Sequence, residues 1–308
     1  MLLPPANWLP QAPLEHLHLD WLTSAGIEVA ILRLDQIDPL ISGNKWFKLV
    51  EHLKAADRAG AEGIISLGGA HSNHLHALAA TGKRLGFDTV GLLRGHAQDT
   101  PTVRDLQAFG MQVHWLGYGG YRARHEPGFW QPWQQQYPHL YAVPEGGGGL
   151  PGALGCAAIK EQAQAQLASL GWSDYYGWWL ACGTGTTLAG LVLAEAGAHP
   201  VYGALAVPDD HGVAPQVSAI IREAGATDAT YELIDASRDG FAKVDPPLLE
   251  FIDQSEQASG ILLEPLYTGK ALLALKQQVE ARRFAPGTRL IFIHTGGLQG
   301  RRGLAANR

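Results

Sequence analysis

Short apolar runs ending in glycine, each followed by a stretch of helical character, recur along this chain, and that alternation admits few architectures. "EGIISLGG" (62–69) leads into "HALAATGKRLGF", and "DTVGLLRG" (88–95) leads into "TVRDLQAFG". "MQVHWLG" (111–117), "YYGWWLACGTG" (175–185), "HPVYGALAV" (199–207), "ATYELID" (229–235), "GILLEPLYTG" (260–269) and "TRLIFIHTGG" (288–297) read as further strands. "ALGCAAIKEQAQAQLASLG" predicts one long helix. The strand runs lack a clean period of two, so both faces are covered and the sheets are mostly parallel. The glycine run "EGGGG" (145–149) predicts a crossing between a small α/β domain, 50–145, and a larger domain made of 1–49 and 146–308.

With 46% hydrophobic and 17% charged residues, the 308-residue chain has the composition of a soluble globular protein. A net charge of −6 gives no reason to expect nucleic acid or an anionic membrane as partner. The proline-interrupted start, "MLLPPANWLPQAPLEHLHLDWL", has neither a basic n-region nor a continuous apolar h-region, so it does not read as a signal peptide. No apolar run approaches a membrane span. Cys156 and Cys182 form no CxxC pair and fit a reducing compartment, so a cytoplasmic protein is expected.

Chemistry concentrates at the glycine-rich strand ends, where open parallel sheets bind ligands. In "PLISGNKWFKLVEHL" (39–53), Lys45 and Lys48 share a helix face, and Trp46, Leu49, Val50 and Leu53 mark the buried side. Ser42 or Asn44 can cap that helix, with Gly43 turning the chain into it. Two cations at a helix start oppose the macrodipole and call for an anion nearby. In "ACGTGTTLAG" a strand runs into Gly183, Thr184, Gly185, Thr186 and Thr187, then a helix, which predicts a phosphate cradle. It lacks the Gly-Lys-Ser/Thr of a Walker loop, and Leu188 stands where a dinucleotide fingerprint needs its third glycine. In "GGAHSNHLH" (68–76), His71, His74 and His76 have poor spacing for a metal, and none is expected. Ser72, Asn73 and His74 instead open a helix suited to a small carboxylate.

Five segments in order carry a family resemblance from about residue 35 to 300: "GNKWFKL", "GGAHSNH", "CGTGTTLAG", "GILLEPLYTGKA" and "FIHTGGLQG". The chain resembles the pyridoxal-phosphate enzymes of the tryptophan-synthase-like group (fold type II). Within it, the similarity is to the branch containing 1-aminocyclopropane-1-carboxylate deaminase and D-cysteine desulfhydrase. The resemblance implies an α/β fold of two domains, each a mostly parallel twisted sheet covered by helices, with pyridoxal 5′-phosphate in the cleft between them. It implies that Lys45 carries the cofactor as an imine and Lys48 reaches its phosphate beside Cys182, Gly183, Thr184, Gly185, Thr186 and Thr187. Asn73 would bond the ring's phenolic oxygen, and Thr295, or else Thr268, would face the pyridine nitrogen. Ser72, Asn73 and His74 would take the substrate carboxylate. Ser72 would help Lys45 move the α-proton, and Tyr267 would stand at the substrate's reacting end. The partner implied is a small amino acid, and the assembly a homodimer.

Two departures bear on the substrate. The deaminases have glutamate after the tyrosine matched to Tyr267, whereas this chain has Thr268. The branch pattern has a tyrosine 26 positions earlier, where this chain has Phe241, which would line the substrate pocket without a hydroxyl. The function expected is α,β-elimination from D-cysteine or a related D-amino acid, giving pyruvate, ammonia and sulfide. The alternative within the class is 1-aminocyclopropane-1-carboxylate deamination. From other classes, the alternatives are an NAD(P)-dependent oxidoreductase using the 183–190 loop and a binding protein without turnover.

Overall fold

The computed structural model describes residues 10–302 apart from 228, 239, 241 and 242, so Phe241 lies outside the described residues. Ten strands are found among them: β1 (Leu14–His16), β2 (Glu28–Arg33), β3 (Gly63–Gly68), β4 (Asp88–Leu93), β5 (Gln112–Trp115), β6 (Leu140–Ala142), β7 (Gly177–Cys182), β8 (Val201–Leu205), β9 (Tyr231–Asp235) and β10 (Arg289–His294). They form two sheets, one of order β1-β2-β10-β7-β8-β9 and one of order β5-β4-β3-β6. Every pairing is parallel except β1 with β2. The chain is therefore α/β with mostly parallel sheets, and β3, β7 and β8 are buried along their whole length. That covering on both faces is why these strands read as unbroken apolar runs.

Side chains of the large sheet's central strands fill the core. Trp178 and Trp179 are fully buried on opposite faces of β7, and Phe292 and Ile293 on β10 are equally buried. Each such apolar side chain contributes about 1.5–3 kcal/mol by leaving water. The two indoles also find acceptors: Trp179 Nε1 donates to Ala271 O at 2.8 Å, and Trp178 Nε1 to Glu195 Oε1 at 2.7 Å.

The expected single helix over 153–171 is divided. Helix Gly149–Gly155 stops at Cys156, and helix Ala157–Gln164 is followed by a 3-10 turn, Leu167–Leu170. Glycine is a poor helix residue, and here it serves contact instead. A Cβ on Gly155 would stand 2.1 Å from the carbonyl oxygen of Phe47, so only glycine lets this segment touch helix Asn44–Arg58.

The run 260–269 is no strand. Its main-chain groups are satisfied by side chains: Leu263 N donates to Glu256 Oε1 at 2.7 Å, and Leu262 O accepts from His294 Nε2 at 2.7 Å. Leu266 N and Tyr267 N both donate to the Glu264 carboxyl. With those partners and Pro265 in the run, there is no ladder to join. The short β1 and β6, and the strongly apolar β2, are additional to the strands read from the sequence. No helix among the described residues is long and apolar enough to cross a membrane.

Candidate active site

The carboxyl ends of β10 and β7 in the large sheet, and of β3 in the small one, bring the predicted segments together. Helix Asn44–Arg58 begins at Gly43, whose φ of 76° and ψ of −162° belong to a region essentially restricted to glycine. A Cβ there would lie 2.1 Å from Thr295 O. Neither Ser42 nor Asn44 caps the helix as expected. Gly43 is the N-cap and makes no side-chain bond, while Asn44 Nδ2 donates to Thr187 Oγ1 at 2.8 Å. The residue expected to cap thus ties the lysine helix to the threonine loop, and Asn44 N ties it to Thr295 O at 3.2 Å.

Lys45 is half-buried and Lys48 is buried. Lys48 Nζ donates to Gly146 O at 3.3 Å, and one turn on His52 Nε2 donates to Gly148 O at 3.0 Å. Loss of water, then the neighbouring Lys48 charge, push the Lys45 amine well below the ordinary lysine range. Burial also lowers Lys48. Two adjacent desolvated amines of this kind are suited to an anion, and the lower one is prepared to be a neutral nucleophile.

Helix Thr186–Glu195 opens beside them from Gly185, with its first N–H groups unpaired within the helix. Thr184 Oγ1 and Thr186 Oγ1 are 3.2 Å apart, and Thr186 and Thr187 are buried. Burial pushes the Cys182 thiol up to about 12, so Cys182 can offer this cradle a thiol or a main-chain group, not a thiolate.

The 68–76 loop meets the lysine helix at the glycine run, where a Cβ on Gly147 would lie 3.2 Å from Lys48 Cβ and 3.3 Å from His74 Cε1. Ser72 caps helix Asn73–Leu85, its Oγ accepting from Leu75 N at 3.2 Å. Asn73 Oδ1 accepts from Gln299 Nε2 at 2.9 Å. The three histidines diverge: His71 is exposed, His76 meets Asp105 at 3.1 Å, and His74 turns inward to Ser66 at 2.8 Å. Ser66 Oγ gives its own proton to Val143 O, so His74 Nε2 carries the hydrogen in that pair. Burial and the Lys45, His52 and Lys48 charges hold His74 neutral.

Tyr267 stands against the threonine loop, where a Cβ on Gly183 would lie 3.0 Å from its Cε1. Burial and the Glu264 and Glu145 carboxylates raise its phenol, so it keeps its proton. Of the two threonines considered for the pyridine nitrogen, Thr268 is fully buried and exchanges hydrogen bonds with Glu264 N and O at 2.7 and 3.1 Å. Thr295 is half-buried at the end of β10.

Sequence reasoning gave no role to Glu264 or Glu145. Glu264 lies within "GILLEPLYTGKA", where acid before proline was part of the matched pattern; only the fold shows its carboxyl holding the Leu266 and Tyr267 N–H groups at 2.9 and 2.8 Å. Burial raises it from 4.5 to about 7. A carboxyl raised in the folded state stabilises most below the unfolded value, and that contribution is lost as pH climbs to the folded value. Wild-type protein is therefore expected to lose about 3 kcal/mol of stability between pH 4.5 and 7 through this group. Glu264→Gln should flatten that window in urea unfolding series; parallel pH profiles for the two proteins would refute the assignment.

Comparison with known proteins shows the family. A family profile described as pyridoxal-phosphate dependent enzyme matches residues 11–296. The D-cysteine desulfhydrase of Serratia proteamaculans (strain 568) is 29% identical over 302 residues, 88% of this chain and 87% of that protein. A provisionally named 1-aminocyclopropane-1-carboxylate deaminase of Pyrococcus horikoshii is 28% identical over 290 residues, 89% of this chain and 86% of its own length. The crystal structure of an ACC deaminase homologue superposes with a TM-score of 0.84 at 25% identity, over 100% of this chain and 94% of that one. The profile match runs through both sheets, and the chain therefore belongs to the pyridoxal-phosphate dependent enzymes, with pyridoxal 5′-phosphate as its cofactor.

Proposed function

We propose that this enzyme is a lyase or deaminase that eliminates the β-substituent of a small D-amino acid, D-cysteine being the leading substrate, to give pyruvate, ammonia and sulfide. The observation that carries this reading is the pair of desolvated amines, Lys45 and Lys48, on a helix that Asn44 ties to the threonine loop against which Tyr267 stands. When bound, pyridoxal phosphate supplies an electron sink for the charge left at the α-carbon.

The residues present fit that cofactor. Lys48 and the 183–187 loop offer a cation, helix N–H groups and threonine hydroxyls to its phosphate, and Lys45 offers a neutral amine to its aldehyde carbon. Asn73 would hydrogen-bond its phenolic oxygen, as the family resemblance implies. Thr295 is the better candidate for the pyridine nitrogen, because the Thr268 hydroxyl is committed to Glu264. Ser72, Asn73 and His74 bind the substrate carboxylate through the start of their helix. Lys45, freed by the substrate amine and assisted by Ser72, accepts the α-proton, and Tyr267 donates to the departing sulfur. Thr268 offers no carboxyl where ring-opening deaminases have one, which supports elimination over ring opening.

The same reading assigns 50–145 to a small domain and 1–49 with 146–308 to a larger cofactor-binding one. In its support, the four-stranded sheet is drawn from residues 63–142. It takes the enzyme to be a cytoplasmic homodimer, on the family resemblance and two unpaired cysteines.

The test is the visible spectrum of the purified holoenzyme before and after D-cysteine, with pyruvate assayed in parallel and 1-aminocyclopropane-1-carboxylate as the comparison substrate. A yellow protein whose band shifts as pyruvate appears is expected. A yellow protein inert to D-cysteine but active on the cyclopropane would overturn the substrate while keeping the cofactor site.

A further inference from the structure

The turn that follows β10 touches two of the segments singled out in the sequence. Thr295 O accepts from Asn44 N at 3.2 Å, and a Cβ on Gly296 would lie 2.6 Å from Gly43 Cα. Lys45 is the next residue of that helix start. Gly297 has a φ of 86° and packs on the other segment, since a Cβ there would lie 2.6 Å from Asn73 Nδ2. Glycine at 297 leaves room for the Asn73 amide. One short turn thus sets the start of the lysine helix on one side and the Asn73 side chain on the other.

Gln299 sits in the 3-10 turn Leu298–Gly300, which opens from Gly297. Its Nε2 donates to Asn73 Oδ1 at 2.9 Å, and both side chains are half-buried. It belongs to "FIHTGGLQG", yet the sequence gave it no role. An asparagine amide has one accepting and one donating end of nearly the same shape, so its partners decide which end points where. With Oδ1 engaged by Gln299, the end left for another group is Nδ2. Among the described residues Nδ2 has no hydrogen-bond acceptor.

We propose that Gln299 is a positioning residue that holds the Asn73 amide so that Nδ2, and not Oδ1, is presented to the phenolic oxygen of the cofactor. That oxygen is anionic in the yellow, lysine-bound cofactor. It therefore gains from a donor and is repelled by an accepting carbonyl. The proposal deepens the function proposed above and rests on its assignment of Asn73 to the phenolic oxygen. Gln299 acts only through Asn73. Exchanging its donor for an acceptor should reverse the amide: Gln299→Glu would draw Nδ2 towards position 299 and turn Oδ1 to the cofactor.

The test is the spectrum of the resting holoenzyme, without substrate, read as the ratio of the yellow band to the near-ultraviolet band of a cofactor with a neutral phenol. Gln299→Glu is expected to lower that ratio about tenfold, the worth of one hydrogen bond to a charged group. Titration of apoenzyme with pyridoxal phosphate should show a weaker Kd by a similar factor. Made on Asn73→Ala, the same change should move the ratio by no more than about twofold, because the residue it acts through is gone. An equal shift in both backgrounds would overturn the proposal, since the new charge would then act directly. A shift from Asn73→Ala with none from Gln299→Glu would overturn it and leave Asn73 at the phenolic oxygen. No shift from Asn73→Ala would overturn it together with that assignment, and pyruvate release from D-cysteine judges the elimination chemistry separately. Should Gln299→Glu fail to fold, Gln299→Met replaces it and breaks the bond without adding charge. A fall of about threefold is then expected, and an unchanged ratio would refute the proposal.

Discussion

Lys45→Ala should purify without the yellow band of a lysine-bound cofactor, and turnover should fall by at least about 10²–10⁴, the worth of one positioned acid–base group. The argument rests on the amine's surroundings. Burial and the adjacent Lys48 push the Lys45 amine well below the ordinary lysine range, which favours the neutral form that attack on a carbonyl carbon needs. The same surroundings make Lys45 a cost to the fold, since a group that loses water and faces a like charge stabilises nothing. The cofactor-free variant is therefore expected to melt no lower than cofactor-free wild type, a separation of function from stability common at active sites. Absorption spectra, borohydride reduction followed by peptide mapping, and paired melting curves check it. A reducible adduct on another lysine would move the assignment; a large fall in melting temperature would mean that Lys45 is structural.

The second large effect is expected from Gly43→Ala. Alanine at φ 76°, ψ −162° carries about 1–3 kcal/mol of backbone strain before any contact is considered. Its Cβ would also fall 2.1 Å from Thr295 O and 2.8 Å from Thr295 C, both main-chain atoms held by the β10 strand end. No flexible side chain is available to give way. The lysine helix must shift, with loss of the Asn44 N to Thr295 O bond at 3.2 Å and strain on the Asn44–Thr187 bridge. A destabilisation of about 3–5 kcal/mol is expected, or roughly 10 °C in melting temperature. The cofactor should be lost on gel filtration, because Lys45 and Lys48 move with the helix. A variant that melts within 2 °C or so of wild type and retains cofactor would show that this turn is tolerant.

Much of the fold was legible because burial leaves a mark on composition. β3, β4, β7, β8 and β10 are buried strands with unbroken apolar runs, and all but β8 end at a glycine or within two residues before one. The candidate site residues were legible because they cluster at those strand ends. The run 260–269 misled for a related reason: Ile261, Leu263 and Pro265 are buried like strand residues. Its main-chain groups, however, are satisfied by side chains, Glu256 and His294 reaching from elsewhere and Glu264 from within the run. The 153–171 stretch misled because alanines promise a helix, while Gly155 gives up helix stability for contact with Phe47.

The sequence by itself pointed to the glycine-rich strand ends as the candidate site, and its resemblance to a known family singled out Lys45 as the candidate nucleophile. Only the tertiary structure decided that Asn44 bridges to Thr187 instead of capping its helix, and that the Thr268 hydroxyl is consumed by Glu264 while Thr295 is half-buried at the end of β10. It likewise decided that Glu145 is clamped by Tyr121 and Arg124. Each of those facts depends on partners between 4 and about 250 residues apart in the chain. Composition and spacing report local preference and burial, whereas hydrogen-bond partners and the desolvation of an amine are properties of atoms that meet only once the two sheets have packed.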